Sequence, residues 1–338
     1  MSQESTKQDQ PRQSLTSHLA LYAKGVAMGM GDSVPGISGG TIAVITHIYD
    51  KLIFSIRAVD RQALSLFFHG DFRQLWRYIN GTFLSVLALG ILSGLLLSAN
   101  TVLYLLDNHF EALMAFFIGL VLASSWLLKN ECNLRASTTL IALIVGVVFT
   151  VTIGILPPVN ANFSLIAIFF SGAIAICAMI LPGLSGAFIL LILGVYEYVL
   201  RALLDFNLPV ILVFMLGCII GLLAFSRFLA WMLRHYHDLS YGFIIGMLLG
   251  SLSVLWPWQH TQSYYTSSSG ELHPLQAVNL LPPSYTEITG QDPHVLLVIL
   301  SLLAGAAMVL GLQWLFTHFS AGPKTASAKS ESGSESGL

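Results

Sequence analysis

Two short stretches, Asp32-Ser-Val-Pro-Gly-Ile-Ser-Gly-Gly40 and Leu181-Pro-Gly-Leu-Ser-Gly186, decide the fold of this chain. They place proline and glycine in the middle of two apolar segments, residues 24–56 and 164–200. Proline and glycine break helices, and broken helices are tolerated inside a membrane only where protein or a water-filled cavity shields the backbone. The first segment is too short for two crossings and a turn, so each segment is predicted to form two half-helices that enter and leave the membrane on one face.

The composition around these stretches is that of a chain solvated by lipid. Hydrophobic residues make up 55% of the 338 residues and charged residues only 9%. A soluble domain carries about 25% charged residues, so a cytosolic enzyme, a nucleic-acid-binding protein and a disordered scaffold are excluded. Further apolar runs approach or exceed the roughly 20 residues that span a bilayer, namely residues 84–106, 113–128, 140–156, 210–233, 241–255 and 295–316.

The positions of the basic residues predict the orientation in the membrane. If each broken segment returns to its starting side and each apolar run crosses, then of the 15 lysine and arginine residues only Arg201 falls opposite the N-terminus. The loop at residues 258–294 lies on the side of Arg201 and contains no lysine or arginine. Because basic residues concentrate in cytoplasmic loops, the polar arm at residues 1–19 and the polar tail at residues 321–338 are predicted to be cytoplasmic and disordered.

The two broken segments match each other, which indicates an internal repeat. The equivalent positions are Pro35 and Pro182, Gly36 and Gly183, Ser38 and Ser185, and Gly39 and Gly186. A tyrosine and an acid follow each proline at the same spacing, as Tyr49-Asp50 and Tyr196-Glu197. The match resumes at Gly90-x-x-x-Gly94 and Gly217-x-x-x-Gly221, so the chain divides into repeats at residues 20–157 and 158–320.

Each repeat holds one broken hairpin and three crossings, and an odd number of crossings turns the second repeat over. The predicted fold is an all-α integral membrane protein with two inverted-topology repeats, each a broken re-entrant helix hairpin plus three transmembrane helices. Inverted repeats with discontinuous helices are typical of transporters, whose substrate sites lie near the midplane between the repeats. The alternative is an old gene duplication in a structural membrane protein.

The half-helices that begin near Ser38 and Ser185 suit an anion. Their first amides are unpaired and carry partial positive charge, and Ser38, Thr41 and Ser185 add hydroxyl donors. A phosphate or carboxylate is therefore predicted where the two hairpin tips meet, unless proline and glycine only permit a kink and close packing. The candidate substrate-binding residues are Pro35, Gly36, Ser38, Gly39, Gly40, Thr41, Pro182, Gly183, Ser185, Gly186 and Arg201, the cation on the outer side.

Three further residues are candidates for coupling an ion to transport. Asp32 lies in the first motif, and an acid at membrane depth is costly, so it either carries a proton or cation or caps a half-helix, unless it sits at the water interface. Glu197 stands four residues before Arg201 and is predicted to pair with it. His47, expected on the half-helix that leads to Tyr49, is either a packed polar residue or a proton relay. Tyr49 and Tyr196 fit interfacial anchoring.

The sequence contains no zinc-protease, nucleophile-elbow or nucleotide-binding motif and no cluster of metal ligands, so neither an enzyme nor a cofactor is predicted. The stretch from Gly29 to Thr41, together with Ile48-Tyr-Asp-Lys-Leu-Ile53, closely resembles the bacterial polyprenyl-phosphate transporter family, the PopT-like proteins. The likeness covers roughly residues 20–318 and includes the second motif.

That resemblance implies a multi-pass protein of the bacterial cytoplasmic membrane. It also implies transport of undecaprenyl phosphate from the outer to the inner leaflet, for reuse in cell-wall glycan synthesis. The partners would be a polyprenyl phosphate, membrane lipids and a coupling proton or cation, without nucleic acid. The alternatives are a secondary transporter of a small water-soluble anion, a membrane lipid phosphatase and a structural membrane protein.

Overall fold

The computed structural model describes residues 15–32, 39–156, 164–266 and 272–320, and most of them are helical. The first half comprises α1 (Leu15–Asp32), α2 (Gly39–Ile45), α3 (Tyr49–Arg57), α4 (Arg61–Phe68), α5 (Phe72–Tyr78), α6 (Gly81–Asn108), α7 (Phe110–Leu128) and α8 (Ser137–Ile155). The second half comprises α9 (Leu165–Ile180), α10 (Gly186–Ile192), α11 (Tyr196–Leu204), α12 (Leu208–His235), α13 (His237–Ser251), β1 (Gln259–Thr266), β2 (Leu272–Asn279), α14 (Pro282–Thr289) and α15 (Val295–Ser320).

Four of the helices are long and apolar enough to span a membrane. Among the described residues these are Gly81–Ser98 within α6, Phe110–Leu128, Ser137–Ile155 and Leu208–His235. They coincide with four of the predicted crossings. The crossing predicted at residues 241–255 is a shorter helix, α13, and the last crossing is described as apolar over Val295–Gly311. In the second broken segment, α10 and α11 are bent by 113°.

The long helices pack in four pairs, α1 with α6, α9 with α12, α7 with α15 and α8 with α13. Glycines allow these close contacts, because a residue without a side chain lets two helix backbones approach each other. A Cβ at Gly90 would stand 2.5 Å from the carbonyl oxygen of Tyr22, and a Cβ at Gly221 would stand 2.6 Å from that of Ala173. The glycines singled out by the internal repeat therefore line the helix contacts α1·α6 and α9·α12.

The short helices α2 and α3 lie inside the bundle. Ala43, Ile48 and Ile53 are buried in the main apolar core, together with Met114 of α7 and Leu248 of α13. Helix α2 is thus enclosed by protein from Gly39 to Val44.

The loop at residues 258–294 corrects the prediction of an all-α protein. It forms the antiparallel hairpin β1–β2, with Gln259 opposite Asn279, followed by α14. The strand Gln259–Thr266 is rich in threonine and tyrosine, which favour extended structure outside the lipid. The Tyr285 hydroxyl donates to Glu111 Oε1 of α7 (2.7 Å), which fixes the loop to the body of the protein. The Trp258 indole donates to the Pro293 carbonyl (2.8 Å), which joins the two ends of the loop.

Candidate functional site

The two sequence motifs are in direct contact in the structure. The backbone amide of Gly183 donates a hydrogen bond to Thr41 Oγ1 at 2.8 Å, between residues 142 positions apart. The Thr41 side chain is only 3% exposed, so this bond is buried. The first turn of α2 also lies against the end of α9, since a Cβ at Gly40 would stand 2.6 Å from the Ile180 carbonyl oxygen. We call this contact, formed by Gly39–Thr41 and Ile180–Gly186, the motif junction.

Asp32 contacts the start of α2 from the end of α1. The amide of Gly39 donates to Asp32 Oδ1 at 2.5 Å, so the carboxylate satisfies one of the unpaired amides of the first turn. The sequence predicted either a capping role or an ion-coupling role for Asp32, and the structure shows the capping contact. Pro35, Gly36 and Ser38 lie outside the described residues, and their predicted role in binding remains a prediction.

The second motif forms a turn between α9 and α10. Gly183 has φ of 84°, a conformation that favours glycine, and a Cβ there would stand 2.9 Å from the Met247 carbonyl oxygen of α13. The next helix begins at Gly186, so the predicted start near Ser185 is confirmed. Ser185 occupies the N-cap position, but its side chain makes no capping hydrogen bond to α10. Its hydroxyl, half-buried at the motif junction, is not used as a cap.

His47 lies in a turn rather than on a helix, which corrects the prediction. Helix α2 ends at Ile45 and His47 has φ of 55°. The equivalent position in the second half is Gly194, with φ of 67°. Both halves therefore turn a corner through a left-handed residue, and histidine pays a steric cost there that glycine does not. The side chain of His47 is exposed.

Glu197 and Arg201 do not form the predicted ion pair. Both lie on α11, but the ion pairs found between described residues do not include them. Arg201 is exposed, and within the described part of the chain no hydrogen bond joins it to either motif. The structure therefore does not place Arg201 at the motif junction.

A second polar group near the end of α2 was missed by the sequence analysis. A cavity of about 100 Å³ is lined by Val44, His47, Tyr49, Asp50, Leu128, Glu131, Tyr241 and Ile244. Tyr49 is 4% exposed, so it is buried in protein rather than anchored at an interface. Tyr241 donates to Asp50 Oδ2 at 3.2 Å and joins α3 to α13. The repeated pairs Tyr49-Asp50 and Tyr196-Glu197 were the signal in the sequence. The burial of Tyr49-Asp50, however, depends on α13, which is distant in the sequence.

The groups at the motif junction are hydroxyls, backbone amides and one carboxylate. Thr41 and Ser185 supply hydroxyl groups, the start of α10 supplies backbone amides, and the Asp32 carboxylate accepts from the Gly39 amide. Among the described residues, no three histidine, cysteine, aspartate or glutamate side chains come together in a way that could hold a metal ion. Donors of this kind suit an anionic oxygen.

Known proteins match most of the chain. The VCA0040-like family, described as undecaprenyl phosphate translocase-like, matches residues 28–273. A polyprenyl-phosphate transporter of Vibrio cholerae serotype O1 is 43% identical over 297 residues, which cover 88% of this chain and 96% of that protein. A polyprenyl-phosphate transporter of Staphylococcus aureus is 32% identical over 252 residues, 69% of this chain and 84% of that protein. No solved structure matches the chain significantly.

The family match includes both sides of the motif junction as well as Tyr49 and Asp50. It agrees with the resemblance found in the first motif and with the apolar helices of a multi-pass membrane protein. The chain belongs to the VCA0040-like, undecaprenyl phosphate translocase-like family.

Proposed function

We propose that this protein moves undecaprenyl phosphate from the outer to the inner leaflet of the bacterial cytoplasmic membrane, and that the phosphate head binds at the motif junction. The observation that carries the proposal is the hydrogen bond from the Gly183 amide to Thr41 Oγ1. It brings the starts of two half-helices from distant parts of the chain together inside the bundle. The relatives in Vibrio cholerae and Staphylococcus aureus are polyprenyl-phosphate transporters, which supplies the class of substrate.

The head and the tail of this lipid set different requirements. A charged phosphate does not cross the hydrocarbon core unaided, whereas the apolar polyprenyl tail can stay in the lipid during transport. A protein that shields only the head, and leaves the tail in the bilayer, meets both requirements. Many long apolar side chains on α6, α8 and α12 are exposed, which would keep the outer surface compatible with a passing tail.

Hydroxyls and amides, rather than helix dipoles, would hold the phosphate. Helices α2 and α10 have seven residues each, so their summed dipoles are small. The Gly39 amide is occupied by Asp32 and the Gly183 amide by Thr41. Phosphate oxygens would therefore accept from the Ser185 hydroxyl and from backbone amides in the first turn of α10. Neutralisation or displacement of the Asp32 carboxylate would remove its repulsion of the phosphate.

Rocking of two inverted repeats would expose the junction to each leaflet in turn. The helix pairs support this symmetry, since α1·α6 corresponds to α9·α12 and α7·α15 corresponds to α13·α8 when the halves are matched. The first type of pair lies within a repeat and the second joins the repeats. In this arrangement both termini and α3–α5 face the cytoplasm, where Arg57, Arg73 and Arg77 contact anionic lipid heads.

Leaflet exchange in vesicles tests the proposal. Purified protein is reconstituted, a short-chain fluorescent polyprenyl phosphate is added, and the fraction accessible to an external reductant is followed with time. Protein vesicles are expected to exchange the lipid, and Ser185→Ala is expected to slow exchange. Ser93→Ala is the matched control, because the Ser93 hydroxyl only donates to the Leu89 carbonyl of its own helix.

Three results would contradict the proposal. Exchange no faster than in empty vesicles would remove the transport function. Release of inorganic phosphate would indicate a lipid phosphatase, and competition by a soluble anion in the absence of lipid exchange would indicate a carrier for water-soluble anions.

A further inference from the structure

The cavity beyond the end of α2 is lined by two buried oxygen atoms that have no hydrogen-bond partner in the part of the chain that the structure describes. The Tyr49 side chain is 4% exposed, and its hydroxyl is buried without a hydrogen-bond partner among the described residues. Asp50 Oδ1 is also buried and unpartnered, whereas Asp50 Oδ2 accepts from Tyr241. Glu131, from the loop between α7 and α8, lines the same space. A buried oxygen without a partner is costly, so a ligand that uses these lone pairs would be stabilised.

The charges around the cavity are those of a cation site. Asp50 takes part in none of the ion pairs between described residues. The nearby lysines are engaged elsewhere: Lys51 lies over the Phe83 ring (4.7 Å), Lys129 lies over the Trp126 ring, and Lys24 donates to the Thr46 carbonyl (2.8 Å). The other titratable groups facing Asp50 and its neighbours are His47, Glu131, Cys132, His237 and Asp238. The cavity lining itself holds two carboxylates, Asp50 and Glu131, and one histidine, His47, and it contains no lysine or arginine.

We infer that this cavity binds a monovalent alkali cation through Asp50 Oδ1 and the Tyr49 hydroxyl, with Glu131 as a further oxygen donor. Hard cations prefer oxygen ligands. The buried part of the site offers one carboxylate and one neutral phenol, which match a single positive charge. A divalent or transition metal would call for a richer set of ligands, and no group of three His, Cys, Asp or Glu suited to a metal occurs in the described residues.

The cavity stands at the far end of α2 from the motif junction. Helix α2 carries Thr41 in its first turn and Val44, which lines the cavity, in its last. A cation that fixes the corner between α2 and α3 would therefore also fix the position of Thr41 against Gly183. The use of the cation as a coupling ion rests on the proposed transport function, but its binding does not.

Equilibrium binding of ²²Na⁺ to the full-length protein in detergent, without added polyprenyl phosphate, tests the site. Choline chloride keeps the ionic strength constant, and unlabelled K⁺ serves as the second alkali ion. The wild type is expected to bind an alkali ion saturably, Asp50→Asn to lose saturable binding, and Tyr49→Phe to bind about tenfold more weakly. Glu287→Gln, which removes an exposed acid on α14, is expected to bind like the wild type.

Circular dichroism and gel filtration of each variant establish that it is folded, and Asp50→Glu, which keeps the carboxylate, is expected to retain binding. The inference is overturned if the wild type binds neither ion saturably, if Asp50→Asn binds as well as the wild type, or if only Ca²⁺ binds. The leaflet-exchange assay is scored separately. Cation binding without lipid exchange would contradict the transport proposal and support the cation site. Lipid exchange without cation binding would support transport and contradict the cation site.

Discussion

Gly183 and Thr41 are joined by a buried hydrogen bond of 2.8 Å from the glycine amide to the threonine hydroxyl oxygen. The two residues belong to motifs that the sequence repeats, yet the bond itself is not symmetric. The position equivalent to Thr41 in the second half is Phe188, which has no hydroxyl group. The contact between the motifs is thus made by one half reaching into the other.

Thr41→Val should destabilise the protein. Valine has the shape of threonine but leaves the Gly183 amide without an acceptor, and an unsatisfied buried amide costs about 1–3 kcal/mol. Denaturant unfolding in detergent, followed by circular dichroism, measures the change. Thr41→Ser keeps the acceptor and should retain most of the stability. Equal stability of the valine variant and the wild type would show that the bond contributes little.

Asp32→Ala should lower stability by about 1 kcal/mol, because the Gly39 amide loses its cap. Asp32→Asn should retain stability, since asparagine also accepts a hydrogen bond but cannot ionise. If capping is the role of Asp32, leaflet exchange is retained in the asparagine variant. Loss of exchange in a stable asparagine variant would instead assign Asp32 a proton or cation.

His47→Gly should raise stability by about 1 kcal/mol, because glycine adopts the left-handed backbone at this corner without steric cost. The matched change in the other half, Gly194→Ala, should lower stability for the opposite reason. Thermal unfolding of both variants measures the difference. A fall in leaflet exchange in a stabilised His47→Gly protein would favour a proton relay at this residue.

Gly221→Ala should separate α9 from α12. Its Cβ would stand 2.6 Å from the Ala173 carbonyl oxygen, so the two backbones must move apart, at a cost of about 1–3 kcal/mol. Gly311→Ala on α15 is the control, because a Cβ there meets nothing within 4 Å. Thermal stability in detergent should fall in the first variant alone, and an equal effect in both would mean that close packing at Gly221 is unimportant.

Docking of the hairpin region should depend on pH through Tyr285. Burial and the hydrogen bond to Glu111 raise the pKa of Tyr285 to about 12 from its ordinary value of 10.0. The folded state therefore favours the neutral phenol. The hydrogen-bonded Tyr285 hydroxyl therefore contributes fully to the free energy of unfolding below pH 10. This contribution is lost as the pH rises through about 12.

Comparison of wild type with Tyr285→Phe isolates this contribution from the other groups that titrate in the same range. The difference in free energy of unfolding between the wild type and Tyr285→Phe should be constant below pH 10 and should become smaller above it. Tyr104→Phe, at an exposed tyrosine, is the control and should show no gap. A gap that does not change with pH would contradict the role of the Tyr285 hydroxyl.

The sequence by itself determined the membrane class, four of the crossings and the sites of the two helix breaks. These follow from local properties: runs of apolar side chains long enough for lipid, and proline and glycine where a helix cannot continue. The start of α10 at Gly186 is set in the same way by the residues beside it. The family was also recognisable, because its motif is continuous in the chain.

Only the tertiary structure decided which residues meet. The contact of Thr41 with Gly183, the missing ion pair between Glu197 and Arg201, and the burial of Tyr49 beneath α13 all depend on helices distant in sequence. The strands β1 and β2 were likewise not predicted, because a polar loop lacks the alternating hydrophobic pattern that would indicate paired strands. Local composition fixes where a helix begins or breaks, whereas the partner of a side chain is fixed by packing between helices, which a linear pattern does not encode.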